Sequence, residues 1–236
     1  MLTLNSLTFA YPGRELALKG VTGRIVDGIT LLVGPNAGGK TTLLRLLAGL
    51  LEPFGGGVID NASEEALTPI ALRRRARMVM QDADPQILGA SVGEDVMLGR
   101  GASSLRMGFD AEAQRLAVKF GLQPYWNESV GSLSYGQKRK LCLVHALLAG
   151  PRLLLLDEPF AGLDYPSARE LREFVLENRR AGLAQVISTH ELEPVFAIAD
   201  WLVVVENGVV AAEGRPDDLR NCLNEWSVRP PGGGWE

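Results

Sequence analysis

Cysteine is scarce: the 236 residues hold two, Cys142 and Cys222, far apart and in no C-x-x-C pair. That excludes a disulfide framework and a cysteine-built zinc site, and it points to a reducing compartment. Long apolar runs are missing too. Ile29-Thr-Leu-Leu-Val33, Leu153-Leu-Leu-Leu156 and Trp201-Leu-Val-Val-Val205 are among the longest, far below the roughly 20 residues that cross a bilayer. Met1-Leu-Thr-Leu-Asn5 has neither the charged start nor the apolar core of a signal peptide, so a cytoplasmic location is expected. Neither charge is in excess: 24 Lys+Arg against 28 Asp+Glu give −4. That mildly acidic balance is unsuited to neutralising nucleic-acid phosphates, although a local basic patch is compatible with it. The chain also lacks a solenoid-type repeat and a heptad run.

What is present is an ordinary globular composition, 46% hydrophobic, in a chain long enough to bury its own core. Leu2, Leu4, Leu7 and Phe9, set among polar residues, read as an extended segment, and Leu16 to Val26 as a second, together an antiparallel β layer. Ile29 to Val33 is apolar but for Thr30, as expected of a strand buried on both faces of a parallel sheet. Leu43, Leu44, Leu46, Leu47 and Leu50 form an apolar helix ended by Gly49 and Pro53. Gly55-Gly-Gly57 reads as a break, and Arg73-Arg-Arg75 with Arg77 as a solvated turn. Residues 82–149 read mainly as helices, an inserted helical subdomain with a mobile Gly/Ser stretch at Gly99 to Ser104. Strands then alternate with helices: Leu153 to Leu156, a helix over Ser167 to Arg180, Ala184 to Ser188, a short helix from Glu191, and Trp201 to Val205. A turn at Asn207-Gly208 adds Val209 to Ala212. The class is α/β, with 1–81 and 150–224 as a discontinuous core and 228–236 as a flexible tail.

Gly34-Pro-Asn-Ala-Gly-Gly-Lys40-Thr41 fits G-x-x-x-x-G-K-[ST] and lies between a buried strand and a helix start. Glycines let the backbone curl so that its N–H groups, those of Asn36, Ala37, Gly38 and Gly39 among them, face phosphate oxygens. The helix N-terminus adds positive potential, Lys40 neutralises the terminal phosphates, and Thr41 can hold Mg²⁺. This is a cradle for a nucleoside triphosphate, with Thr42 behind it. Leu153-Leu-Leu-Leu-Asp157-Glu158 puts two carboxylates at the carboxyl edge of the sheet, where such folds bind ligands. Asp157 would fix the metal, directly or through water, and Glu158 would polarise the attacking water.

Leu133-Ser-Tyr-Gly-Gln137 stands shortly before the Asp157 strand, followed by Lys138-Arg-Lys140. In that position it resembles the signature loop of the ATP-binding cassette (ABC) ATPases, a P-loop NTPase family. Asp157-Glu158-Pro159, Ala161-Gly-Leu-Asp164 and His190 follow in that family's order. Gln81 falls at its Q-loop and Tyr11 at its adenine-stacking aromatic, so the whole chain reads as one cassette domain, 1–236. The resemblance implies an ATPase using ATP and Mg²⁺ that packs head to tail with a second ABC subunit. Ser134, Gly136 and Gln137, with the N–H of Tyr135, would cap a γ-phosphate arriving from across the interface, and Asp164 would line it. His190 would bond that phosphate and position water, and Gln81 would link metal and water to the helical subdomain. The commoner signature is Leu-Ser-Gly-Gly-Gln; Tyr135 departs from it, and its side chain either crowds the phosphate or points away.

Gln81-Asp-Ala-Asp-Pro-Gln-Ile-Leu88 and Ser91-Val-Gly-Glu-Asp95-Val96 are similar to the energy-coupling factor (ECF) branch and the related cobalt and nickel importers. That resemblance implies an integral membrane coupling subunit, a substrate-capture subunit for a vitamin or metal ion, and a peripheral place on the cytoplasmic face of the membrane. The alternative is that these residues only cap helices. Ile87, Leu88, Val92, Val96, Met97 and Leu98 are candidates to line a docking groove, or simply core. The rival function is a cytosolic ABC ATPase acting on nucleic acid or the ribosome, which the missing coiled coil and zinc cysteines disfavour. A kinase with the same cradle leaves Leu133 to Gln137 and His190 unexplained. No nucleic-acid partner is expected.

Overall fold

The computed structural model describes residues 1–98 and 108–232. The chain divides into two compact units, Met1–Met78 with Arg152–Glu236, and Val79–Pro151. Along the chain the elements are β1 (Leu2–Ala10), β2 (Leu16–Ile25), β3 (Ile29–Val33), α1 (Lys40–Leu47), β4 (Gly55–Asp60), β5 (Glu65–Leu67), α2 (Pro69–Arg75) and β6 (Ala76–Val79). The second unit contributes α3 (Val92–Leu98), α4 (Phe109–Lys119) and α5 (Tyr135–Leu148). The chain then returns through β7 (Leu153–Asp157), α6 (Tyr165–Arg180), β8 (Ala184–Ser188), β9 (Trp201–Glu206), β10 (Val209–Gly214) and α7 (Pro216–Leu219).

The first unit holds two sheets. β2, β1, β4 and β5 form an antiparallel layer in that order. The other sheet runs β10-β9-β3-β8-β7-β6, with β3 parallel to both β8 and β9 and β7 parallel to β8. Every residue of β3 and of β7 is buried, which is why these strands carry no polar alternation. Each fully buried Leu or Ile there contributes about 1.5–3 kcal/mol. The buried hydroxyl of Thr30 is satisfied by the Val26 N–H at 3.2 Å. Glu213 of β10 accepts from the Arg24 N–H of β2 at 2.8 Å, tying one sheet to the other.

Two local expectations fail. Gly55 to Gly57 is no break but the start of β4, paired through Thr8↔Gly55 and Asn5↔Gly57. The partner strand shifts register there, and Gly56 (φ 74°) comes so close that an added Cβ would lie 2.2 Å from the Asn5 carbonyl oxygen. Glycine is thus a condition of this pairing rather than an interruption of it. The arginine run is no turn either: Arg73, Arg74 and Arg75 are the last turn of α2, where cations suit the helix C-terminus. Thr68 caps that helix by accepting from the Ala71 N–H, Pro69 occupies its first turn, and Arg75 pairs with Asp60 at 2.5 Å.

The expected flexible tail is corrected as well. Val228 is buried and its N–H donates to the Leu223 carbonyl at 3.1 Å, while Arg220 donates to the Pro231 carbonyl at 3.1 Å. A buried valine anchors 228–232 in spite of the prolines; residues 233–236 lie outside the described residues. In place of a helix from Glu191 there is a 3₁₀ turn at Phe196–Ile198. The Gly99 to Ser104 stretch also lies outside the described residues.

In the second unit, Val92, Val96, Phe109, Leu116, Leu141 and Val144 form an apolar core. His145 is part-buried and bonds the Asp95 carbonyl through Nε2, the structural role expected of a histidine on an apolar helix. Cys142 is buried, and desolvation, reinforced by Asp95, pushes its thiol up to about 12. Iodoacetamide under native, mildly alkaline conditions is therefore expected to alkylate the half-buried Cys222 and spare Cys142 until denaturant is added; intact-mass analysis of each state checks this.

Candidate functional site

β3 delivers the chain to a loop pressed against β9. A Cβ added to Gly34 (φ 134°) would lie 2.1 Å from the Val205 carbonyl oxygen, and one on Gly38 2.6 Å from it. Only glycine allows that approach. The Pro35 carbonyl accepts from the Gly38 N–H at 3.1 Å, which bows Asn36 and Ala37 (φ 60°) outward. α1 then starts at Lys40 behind Gly39, a cap residue with no side-chain acceptor, so the first-turn N–H groups are left for an external anion. Lys40 is 7% exposed and its Nζ donates to the Gly34 and Pro35 carbonyls at 2.9 and 3.0 Å. Burial pushes its pKa below the ordinary value, and Glu158 and then Asp157 pull it back up.

Sheet order places the ends of β3, β8 and β7 side by side. Asp157 pairs in register with Ser188, whose hydroxyl donates to the Asp157 carboxylate and accepts from the Glu158 N–H at 3.2 Å. Thr41 Oγ1 donates to the same carboxylate at 2.9 and 3.2 Å. Glu158 adopts φ 47°, a left-handed conformation rare for a non-glycine residue. Its N–H also donates to the Ser188 carbonyl at 3.0 Å, and its Oε2 lies 2.8 Å from His190 Nδ1 and 3.3 Å from the His190 backbone nitrogen. Adjacent acids thus face different partners: Asp157 takes two hydroxyls, Glu158 an imidazole.

A Thr hydroxyl held on a carboxylate is an oxygen pair suited to Mg²⁺ completed by phosphate and water. Among the described residues, no group of three or more His, Cys, Asp and Glu side chains could hold a metal by itself. Tyr11 lies over α1, its hydroxyl 3.4 Å from Thr42 Oγ1 and accepting from Arg45 at 3.2 Å. Asp164 caps α6 by accepting from the Ser167 N–H at 3.0 Å, and Ser167 holds its carboxyl below the usual carboxylate value.

The remaining expected site residues belong to the second unit. Ser134 caps α5 in a reciprocal box: its hydroxyl accepts from the Gln137 N–H at 3.3 Å, and Gln137 Oε1 accepts from the Ser134 N–H at 2.7 Å. Gly136 lies in that first turn. The Tyr135 hydroxyl donates to the Gln81 carbonyl at 2.8 Å, which gives this side chain a partner within the protein. Two residues were missed from sequence: Ser188, whose role follows from strand register, and Arg139, whose guanidinium donates to the Tyr135 hydroxyl at 2.7 Å. Neither sits in a motif.

The stretch from Asp84 to Asp95 is shaped by its own acids. Asp95, 1% exposed, accepts from the Leu88 and Gly89 N–H groups at 2.8 and 2.9 Å, and Glu94 accepts from Ala90 and Ser91 at 3.2 Å. Leu88 is 79% and Leu98 53% exposed, while Val92 and Val96 are core. A cavity of about 410 Å³ is lined by Leu88, Gly89, Ala90, Glu94, Met97 and Leu98. Among the described residues no helix is long and apolar enough to cross a membrane.

Comparison with known proteins agrees with this geometry. Residues 18–161 match the family model described as ABC transporter. The chain is 35% identical to the cobalt import ATP-binding protein CbiO of Rhodobacter capsulatus, over 98% of this chain and 85% of that protein. It is 38% identical to the energy-coupling factor transporter ATP-binding protein EcfA1 of Thermotoga maritima, over 89% of this chain and 80% of that one. Among solved structures it is similar to cbiO1 from Clostridium perfringens, part of the ABC transporter complex cbiONQ, with TM-score 0.79, 27% identity, and 97% and 94% of the two chains covered. The chain belongs to the ABC transporter family, as an ATP-binding subunit whose ATP hydrolysis is coupled to transport.

Proposed function

We propose that this chain is the ATPase of an energy-coupling-factor-type importer for a vitamin or transition-metal ion, working as a dimer on the cytoplasmic face of the membrane. The observation that carries the ATPase reading is the convergence of Lys40, the Thr41–Asp157 pair and the Glu158–His190 pair at one sheet edge. ATP enters with its phosphates over the loop Gly34 to Gly39 and the N–H groups of Lys40, Thr41 and Thr42, and its adenine on Tyr11. Lys40 then exchanges two neutral carbonyls for phosphate oxygens, a stronger charge-assisted pairing. Thr41 and Asp157, with Gln81, would hold Mg²⁺, which supplies charge neutralisation of the phosphates. Glu158 takes the proton of the water attacking the γ-phosphorus; His190 holds Glu158 in place and presents its exposed ring edge to the phosphate.

The Ser134 and Gly136 turn opens α5, whose positive N-terminal end is suited to a γ-phosphate, and with Tyr135, Gln137 and Asp164 it serves the partner's nucleotide. Each site therefore needs two chains, identical or related. The helical subdomain, here the unit Val79–Pro151, docks an integral membrane coupling subunit through the cavity beside Leu88 and Leu98. A separate membrane subunit captures the solute. What supports the importer reading is the pair of relatives named for cobalt import and energy coupling.

Lys40→Ala is expected to weaken ATP binding by about 10- to 100-fold in titration calorimetry, since it removes charged hydrogen bonds. Glu158→Gln is expected to keep binding, reduce turnover by at least about 100-fold, and run as a dimer on size exclusion with ATP; a monomer with undiminished turnover refutes the assignment. Mass spectrometry of the tagged chain purified from membranes is expected to find small integral membrane subunits. Ribosomal proteins or DNA in their place refute the importer reading.

A further inference from the structure

One face of α5 is bonded to the turn 81–84 by side chains spaced i, i+3, i+4 and i+7. Tyr135 donates to the Gln81 carbonyl at 2.8 Å, Lys138 pairs with Asp84 at 2.6 Å, Arg139 donates to the Gln81 carbonyl at 3.4 Å, and Cys142 lies 3.7 Å from the Ala83 carbonyl. These links are unequal. Asp84 is 67% exposed, so its ion pair is worth little, and a thiol is a weak donor. Arg139 is different: 3% exposed, it donates to the Tyr135 hydroxyl at 2.7 Å, and its guanidinium carbon lies 4.8 Å from the centre of the same ring. A buried cation thus holds both the ring and the oxygen of Tyr135 and polarises the O–H that binds Gln81. Tyr135 is the first residue of α5, between the capping Ser134 and Gly136.

We propose that Tyr135 is a positioning residue: braced by Arg139, its phenol is a strut that makes the Gln81 peptide and the Ser134–Gly136 turn move as one body. The roles of Gln81 and Ser134 in ATP hydrolysis rest on the function proposed above. The strut is particular to this signature, because a glycine in place of Tyr135 offers neither ring nor donor. It also answers where the Tyr135 side chain goes: to the loop of Gln81. Through it, a nucleotide-driven shift of Gln81 reaches the turn that caps the partner's nucleotide without waiting on the whole unit.

The decisive variant is Tyr135→Phe, which keeps the ring over Arg139 and deletes one hydroxyl on a half-exposed side chain. In hydrogen–deuterium exchange of the full chain, the amides of 82–84 are expected to exchange about fivefold faster than in the wild type, the loss of one hydrogen bond, with exchange in α6 unchanged. In the transporter complex, kcat for ATP is expected to fall about fivefold with KM within about twofold, the split expected of lost transition-state positioning. Lys138→Ala, which removes the exposed link, is expected to leave both readouts within about twofold. Unchanged exchange at 82–84 overturns the strut. Faster exchange with unchanged kcat overturns its positioning role, and a raised KM at constant kcat makes Tyr135 a nucleotide contact and overturns it too. A wild-type complex that hydrolyses no ATP refutes the underlying function, while the exchange measurement still judges the strut by itself.

Discussion

Two consecutive carboxylates must reach two different partners at the same sheet edge, and a regular strand cannot do this, since it would send neighbouring side chains to opposite faces. The left-handed turn at Glu158 resolves the conflict. Asp157 is still in β7 and points to Thr41 and Ser188; one residue later the chain has rotated and Glu158 points to His190. Such a conformation costs of order 1–3 kcal/mol and persists only if its surroundings impose it. Here they do, through two hydrogen bonds from the Glu158 N–H to Ser188. The parallel sheet is the apparatus that holds Ser188 in that place: β8 lies between β3 and β7, and its end is therefore adjacent to both the cradle and the acids.

Much of this was legible in the sequence where the signal is local. The apolar run Ile29 to Val33, the glycines that follow it, and Lys40 at a helix start describe a strand, a loop and a helix with no long-range information. The box of Ser134 and Gln137 is likewise a local pattern. The failures are of two kinds, long-range and local. Gly55 to Gly57 becomes a strand because a bulged partner needs backbone approach, and Arg73 to Arg75 becomes helical because Thr68 and Pro69, five residues upstream of Arg73 and nearer, nucleate the turn. Ser188 acquires its role from register with Asp157, and Arg139 from the fold that brings the Gln81 carbonyl to the Tyr135 hydroxyl. The strand pairing of Gly55 to Gly57 and the Ser188 contact depend on register between distant strands, whereas Thr68-Pro69 and the i, i+4 pair of Tyr135 and Arg139 are local signals.

The second unit shows a different use of charge. Glu94 and Asp95, which the sequence offers as a branch marker, spend their carboxylates on the N–H groups of their own turn from Leu88 to Ser91. Capping and partner recognition are not rival explanations here. Glu94 bonds the N–H groups of Ala90 and Ser91 and also lines the cavity beside the exposed Leu88 and Leu98, so one acid both shapes this surface and belongs to it.

The same division between shaping and acting explains Lys40. An ammonium buried in a protein is unfavourable unless it is paired, and the two carbonyls it binds carry only partial charge. Glu158 and Asp157 supply further field from the end of β7, which offsets part of the desolvation that lowers the lysine's pKa. On the proposed function, a triphosphate would bring full negative charge to the same ammonium and to the open N-terminus of α1, offsetting the burial that the two carbonyls compensate only in part. On the proposed function, that anion would repel Asp157 and Glu158, and a divalent cation held by Thr41 and Asp157 would offset the repulsion.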